Sequence, residues 1–253
     1  MDHGQESGSW WLDVRNKVIG RALERWGNGG CLWEIGAGAG AVGSYLSEIE
    51  VSCIGVEPSA SGCQISASRG LFCIQSDFES LAIPDRSLGQ IGLFDVLEHI
   101  EFRSDFLLAL RRSLKDDGRL FLTVPALPFL WSKADVEASH FIRYTKSSIA
   151  RELRAAGFRP LETRYFFSSL VIPLLFLRAI PYRLGIASSR SISSLLQKNG
   201  GRGSLIFEKL ESLMSKIFPI GSSILIVATK QSFWSQSPCS RRNFSTSSIS
   251  VDA

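Results

Sequence analysis

Glu34-Ile35-Gly36-Ala37-Gly38-Ala39-Gly40 constrains this chain more than any other stretch. It joins an apolar run (Cys31, Leu32, Trp33, Ile35) to a helical pattern over Ala41 to Ile49. Glycines at such a strand-to-helix turn allow positive φ and let the backbone touch a ligand. The helix that follows presents its free N–H groups to that ligand. Glu34, two residues before the first glycine, disfavours a phosphate at the strand tip. The pattern points to a ligand carrying an ammonium or sulfonium group rather than a pyrophosphate.

The glycine spacing alone does not decide. Gly36-x-Gly38-x-x-Ala41 also fits the dinucleotide fingerprint, in which a helix N-terminus takes the pyrophosphate. Val51 to Val56 reads as a buried parallel strand and ends at Glu57-Pro58. A carboxylate there accepts from both ribose hydroxyls and opposes a 2′-phosphate, while Pro58 cannot extend the ladder. NADP is disfavoured; NAD and S-adenosylmethionine both remain. Leu71 to Gln75 reads as a third strand ending at Asp77-Phe78, an acid and an aromatic suited to adenine. A fourth, Leu88 to Leu93, leads into Phe94-Asp95-Val96-Leu97-Glu98-His99.

With these four segments in order, the chain resembles the class I S-adenosylmethionine-dependent methyltransferases, of the small-molecule kind that includes ubiquinone-biosynthesis enzymes. The resemblance runs from about Trp10 to Lys230. It implies a three-layer α/β, Rossmann-like sandwich with seven strands, mostly parallel, in the order 3-2-1-4-5-7-6 with strand 7 antiparallel. It implies S-adenosylmethionine as cofactor. Glu34, Gly36, Gly38 and Gly40 would hold its methionine end, with Ala37 where many members carry Cys or Ser. Glu57 and Pro58 would meet the ribose, Asp77 and Phe78 the adenine, and Asp95 would close the pocket beneath the sulfonium. Trp10-Trp11 with Arg15 resembles a segment that folds over the cofactor, where Arg15 would pair with the methionine carboxylate; hydrophobic anchoring is the alternative for the tryptophans.

Candidate catalytic groups follow the fourth and fifth strands. His99 suits a general base for a phenol or alcohol acceptor, since it titrates near neutrality; otherwise Glu98 and His99 simply start the next helix. No metal is assigned and no Cys/His spacing resembles a zinc site, although relatives imply that Asp95, Glu98 and His99 could hold a Mg²⁺-type ion. The loop after strand five carries Trp131, Asp135 and His140-Phe141-Ile142-Arg143-Tyr144. Related enzymes show His-x-Arg-Arg-Tyr there, so Ile142 weakens an anion-binding reading while His140, Arg143 and Tyr144 remain substrate contacts or a salt-bridged structural loop.

The 253 residues suit one domain. A net charge of +4 without a Lys/Arg block argues against nucleic acid. Five cysteines, three of them in expected strands, read as small hydrophobes in a reducing, cytoplasmic setting without disulfides. Met1 to Gly8 is polar and acidic, unlike a signal peptide. Residues 1–9 and the Ser-rich 231–253 read as disordered ends of a methyltransferase domain spanning 10–230.

Helices are expected at Trp10 to Trp26, at Arg103 to Leu114 with Gly118 as C-cap, at Thr145 to Ala156 and at Leu205 to Phe218. Strands are expected at Arg119 to Val124, Leu161 to Phe167 and Ser223 to Thr229. The insertion 168–222 lies between the last two and should emerge on the ligand edge. Its apolar run, Phe166 to Leu177, is too short to span a bilayer, which takes about 20 residues. With Arg178 and Arg183 it suits a lid, an acceptor wall or a peripheral membrane contact through 166–183; an extra packing layer is the structural alternative. The expected activity is methylation of a small apolar acceptor, with an NAD-dependent oxidoreductase and a non-catalytic cofactor-binding partner protein as the other classes.

Overall fold

Alternate residues of the central strands supply opposite faces of one sheet, as the two-residue period of a strand requires. In the computed structural model, which describes residues 10–186 and 202–231, Leu120, Leu122 and Val124 pack into one buried cluster. Phe121 between them packs into the other. Ile224 and Ile226 against Leu225 and Val227 repeat the alternation.

The sheet consists of β1 (Leu32–Ile35), β2 (Cys53–Val56), β3 (Phe72–Ile74), β4 (Leu88–Phe94), β5 (Leu114–Pro125), β6 (Phe158–Phe166) and β7 (Ser223–Lys230). Their order is β3-β2-β1-β4-β5-β7-β6. β1 to β5 pair in parallel, and β7 runs antiparallel to both β5 and β6. One layer is α1 (Trp10–Trp26) with α2 (Ala41–Glu48), which bury Val14, Val18, Ile19, Val42 and Leu46. After α3 (Ala60–Ser68), the opposite layer holds α4 (Arg103–Ser113), with Phe106, Leu107 and Leu110 buried. Past the short α5 (Lys133–Glu137), α6 (Lys146–Ala155) adds Ile149 and Leu153 to that layer. This is the three-layer sandwich that the resemblance implies.

Several boundaries differ from expectation, two of them for reasons the packing shows. Gly118 does not cap α4, which ends at Ser113, and its φ is not positive. Leu114 is fully buried and pairs with Leu88, so the chain enters the sheet at once and bulges before Arg119 meets Gln90. β6 begins at Phe158 rather than Leu161, because buried Phe158 pairs with Lys230. Pro160 lies at a register shift, tolerated because β6 is an edge strand. Thr145 does cap α6, accepting from Ser148 N at 3.1 Å.

The insertion begins with Ser168–Leu170 and Val171–Leu174, passes through a π-helical turn, Leu175–Ala179, and continues as Ile180–Arg183. It returns as the helix Arg202–Ile217. Glu211 on that helix accepts from Ser168 N at 2.7 Å, Ser169 N at 3.0 Å and Ser169 Oγ at 2.7 Å, which ties the two halves together. The expected disordered N-terminus, the tail beyond Gln231 and residues 187–201 of the insertion lie outside the described residues.

Candidate active site

The carboxyl ends of β1 to β4 and the insertion enclose a cavity of about 1030 Å³. Gly36 and Gly38 shape its floor with φ of 75° and 54°. A Cβ on Gly36 would meet Val96 Cγ2 at 2.6 Å, so the β1 and β4 tips approach only through glycine. A Cβ on Gly38 would meet nothing within 4 Å. Space there is left for a ligand against bare backbone. Ala37 also lines the cavity, and Gly40 opens α2 in the left-handed conformation.

Glu34 is 2% exposed. Burial raises its carboxyl to about 8, against the lowering effects of Arg15 and of the Cys53 thiol. A buried carboxyl so poorly compensated suits a bound cation. Glu57 holds the loop itself: Oε2 accepts from Gly38 N at 2.8 Å and Oε1 from Ser59 N at 2.9 Å. Each oxygen keeps a lone pair for a further donor. Pro58, exposed Asp77 and buried Phe78 line the wall beyond, and the Phe78 ring packs edge-on against Phe106.

Asp95 sits at the β4 tip with φ 59°, a conformation disfavoured for any residue but glycine. Its carboxylate accepts from Arg15 Nη1 at 2.7 Å and from Thr123 Oγ1 at 3.0 Å. Arg15, expected to take the cofactor's carboxylate, therefore spends Nη1 on Asp95. Its guanidinium also lies over the Trp11 ring at 5.4 Å, and both residues line the cavity.

At the other end His99 and His140 stand edge to face, with ring centroids 4.7 Å apart. His140 Nδ1 lies 3.0 Å from Asp135 Oδ1, which also accepts from Arg143 Nε at 2.7 Å. Burial alone would raise the Asp135 carboxyl; His140 and Arg143 outweigh it and hold the group at about 2. His99 is pushed below its usual range by burial and by His140. Glu98 is raised by burial and by Asp95, and its Oε2 is buried without a partner.

Asp95 does not join the residues whose geometry would allow a cation, although the resemblance implied that it could. Glu98, His99 and His140 bring ligand atoms within 4.8 Å of one another, whereas Asp95 is committed to Arg15 and Thr123. Tyr144 is a correction as well. Expected at the substrate, it is fully buried in the core, where burial pushes its hydroxyl above the usual range. Leu170, Pro173, Leu174 and Arg178 of the insertion line the cavity; the sequence offers their run as an acceptor wall without showing which of its residues face in. No local pattern marks which side of the insertion turns inward.

A family profile described as a methyltransferase domain matches residues 13–163, more than half of the chain. The chain belongs to this methyltransferase family. The methyltransferase uses S-adenosylmethionine as methyl donor, and the open position at Gly38 and the uncompensated Glu34 carboxyl fit that group.

Solved structures agree on the fold. A methyltransferase of Archaeoglobus fulgidus superposes with a TM-score of 0.58 at 15% identity, over 87% of this chain and 94% of that one. A Thermotoga maritima protein, described as a possible histamine N-methyltransferase, gives 0.55 at 19% identity over 88% and 93%. Phosphoethanolamine N-methyltransferase 2 of Haemonchus contortus, in complex with phosphomonomethylethanolamine and S-adenosylhomocysteine, gives 0.56 at 16% over 87% and 53%. No curated protein matches the methyltransferase in sequence. No described helix is long and apolar enough to cross a membrane.

Proposed function

We propose that this methyltransferase acts on a small, largely apolar acceptor by in-line methyl transfer. The observation that carries the reading is the division of the cavity. Carboxylates and glycine backbone line the strand tips, while Leu170, Pro173 and Leu174 of the insertion wall the other end. Placing the acceptor against the reacting atom supplies much of the rate in such a displacement.

The bound cofactor supplies an electrophilic methyl on a positively charged sulfur. Glu34 offers its carboxyl to the ammonium, Glu57 its spare lone pairs to the ribose, and Asp77 with Phe78 receives the adenine. Arg15 keeps Asp95 oriented at the β4 tip. His99 takes the proton of a hydroxyl acceptor. Its lowered pKa keeps the ring neutral near pH 7, as a base requires. Asp135 orients His140 against it. The insertion excludes water from the acceptor end, and its exposed Ile172 and Phe176 leave an outer apolar face for peripheral membrane contact.

Incubation with labelled S-adenosylmethionine and a cellular metabolite extract tests the reading, with the methylated product identified by mass spectrometry. His99→Ala should lower turnover strongly while S-adenosylhomocysteine affinity stays within a few-fold. Turnover near wild type would return His99 to a packing role. A polar, polycationic product would overturn the apolar acceptor. The family match sets the oxidoreductase alternative aside.

A further inference from the structure

Arg178 is a cavity-lining cation that the proposed reaction leaves unused. It sits on the π-helical turn Leu175–Ala179 and lines the acceptor end beside Leu174. Such turns gather at functional sites more often than elsewhere in helices. The side chain of half-buried Arg178 makes no hydrogen bond or ion pair among the described residues. Burial lowers its pKa, as does the charge of Arg143, while Asp135 acts in the opposite sense. An arginine held in a cavity wall without a partner is uncommon, because a desolvated charge is costly unless something pairs with it.

The surrounding charges do not supply that partner. Asp135 is anionic, but its carboxylate is engaged by Arg143, His140 and the Ser132 cap. Arg143 also donates Nη1 to Ala126 O at 3.0 Å. Asp95 is balanced by Arg15. The Arg178 guanidinium therefore stands at the acceptor end without a bonded anion, next to an apolar wall.

We propose that Arg178 is the anion-binding residue of the acceptor site, and that the acceptor is an apolar molecule carrying one carboxylate. The planar guanidinium matches a carboxylate through two parallel hydrogen bonds. One carboxylate supplies the partner that Arg178 lacks, and Leu170, Pro173 and Leu174 take the apolar body. The inference rests on the reading above and narrows its acceptor class.

Octanoate and 1-octanol serve as probes that differ only in the head group. Their binding is measured by titration calorimetry on the full chain saturated with S-adenosylhomocysteine. Wild type should bind octanoate about tenfold or more tighter than octanol, as a charge-assisted pair implies. Arg178→Met should erase that difference while leaving octanol affinity and the thermal transition unchanged. Arg178→Lys should restore only part of it. Equal affinity for the two probes in wild type, no octanoate binding, or an unaltered preference in Arg178→Met would overturn the assignment. S-adenosylhomocysteine binding is measured first and separately. Its absence defeats the methyltransferase site as a whole, whereas its presence without head-group preference defeats only the role of Arg178.

Discussion

Arg15 of α1 donates Nη1 to Asp95 Oδ2 across 2.7 Å, joining the helix that precedes the sheet to the tip of its fourth strand. The pair is largely buried on the arginine side, and Asp95 holds a left-handed φ of 59°. A carboxylate in that conformation needs its neighbours to fix it. Arg15→Met leaves Asp95 only Thr123 Oγ1 and should destabilise the fold by roughly 1–3 kcal/mol in urea unfolding, less than for a fully buried pair. Arg15→Met combined with Asp95→Asn should lose less than the two single losses added, because the residues act as a unit. Strict additivity would mean that the contact contributes nothing.

Glu57 anchors the glycine loop through Gly38 N and Ser59 N. Charge-assisted hydrogen bonds contribute about 1.5–3 kcal/mol each. Glu57→Ala should therefore weaken S-adenosylhomocysteine by roughly one hundred-fold, through loss of ribose contacts and loosening of the loop together. Glu57→Gln keeps one acceptor oxygen and should lose about tenfold. Equilibrium dialysis that finds unchanged affinity in a folded Glu57→Ala protein would remove Glu57 from the site.

The two substitutions bear on what the sequence discloses. The floor of the pocket was legible because it is local: Gly36, Gly38 and Glu57 mark strand tips by spacing and residue type. The sheet order was legible through resemblance, since no periodicity states which strands are neighbours. The acceptor end was not legible. His99 and His140 meet because a loop after β5 folds back over the β4 tip, with Phe141 N donating to Glu98 O at 2.8 Å. Nothing in either segment encodes that return. Tyr144 illustrates the converse error. Its place in a functional-looking motif suggested substrate contact, yet its backbone bridges Pro125 and Leu127 and its ring completes the core.

Proton release on binding offers a test of Glu34. Its carboxyl rises from an ordinary 4.5 to about 8 in the folded chain, chiefly through burial. The folded state thus keeps a proton that the unfolded state releases. The stability Glu34 contributes is full below about pH 4.5 and is lost as pH rises through about 8. A bound ammonium favours the ionised form, so S-adenosylhomocysteine binding near neutral pH should release a proton and tighten as pH rises toward 8. Calorimetry in two buffers of different ionisation heat should show the release in wild type and its loss in Glu34→Gln. Identical heats in both buffers for wild type would place the ammonium elsewhere.

The insertion separates two uses of neighbouring apolar residues. Leu174 lines the cavity, whereas Phe176, two residues on, is 62% exposed. An inward residue that walls the acceptor should affect catalysis, and an outward one should affect only what the surface meets. Leu174→Ala should reduce acceptor turnover by about tenfold, the scale of a few lost methylenes in an apolar pocket, with cofactor affinity unchanged. Phe176→Ser should leave turnover intact and weaken sedimentation with anionic liposomes, because an apolar segment lying at an interface binds through its buried area. Wild-type protein that ignores liposomes would exclude the membrane role of Phe176 and leave the acceptor wall standing. Leu174→Ala protein with normal turnover but a lowered urea midpoint would make the insertion a packing layer, the Glu211 tie to Ser168 and Ser169 serving only to hold it on the sheet.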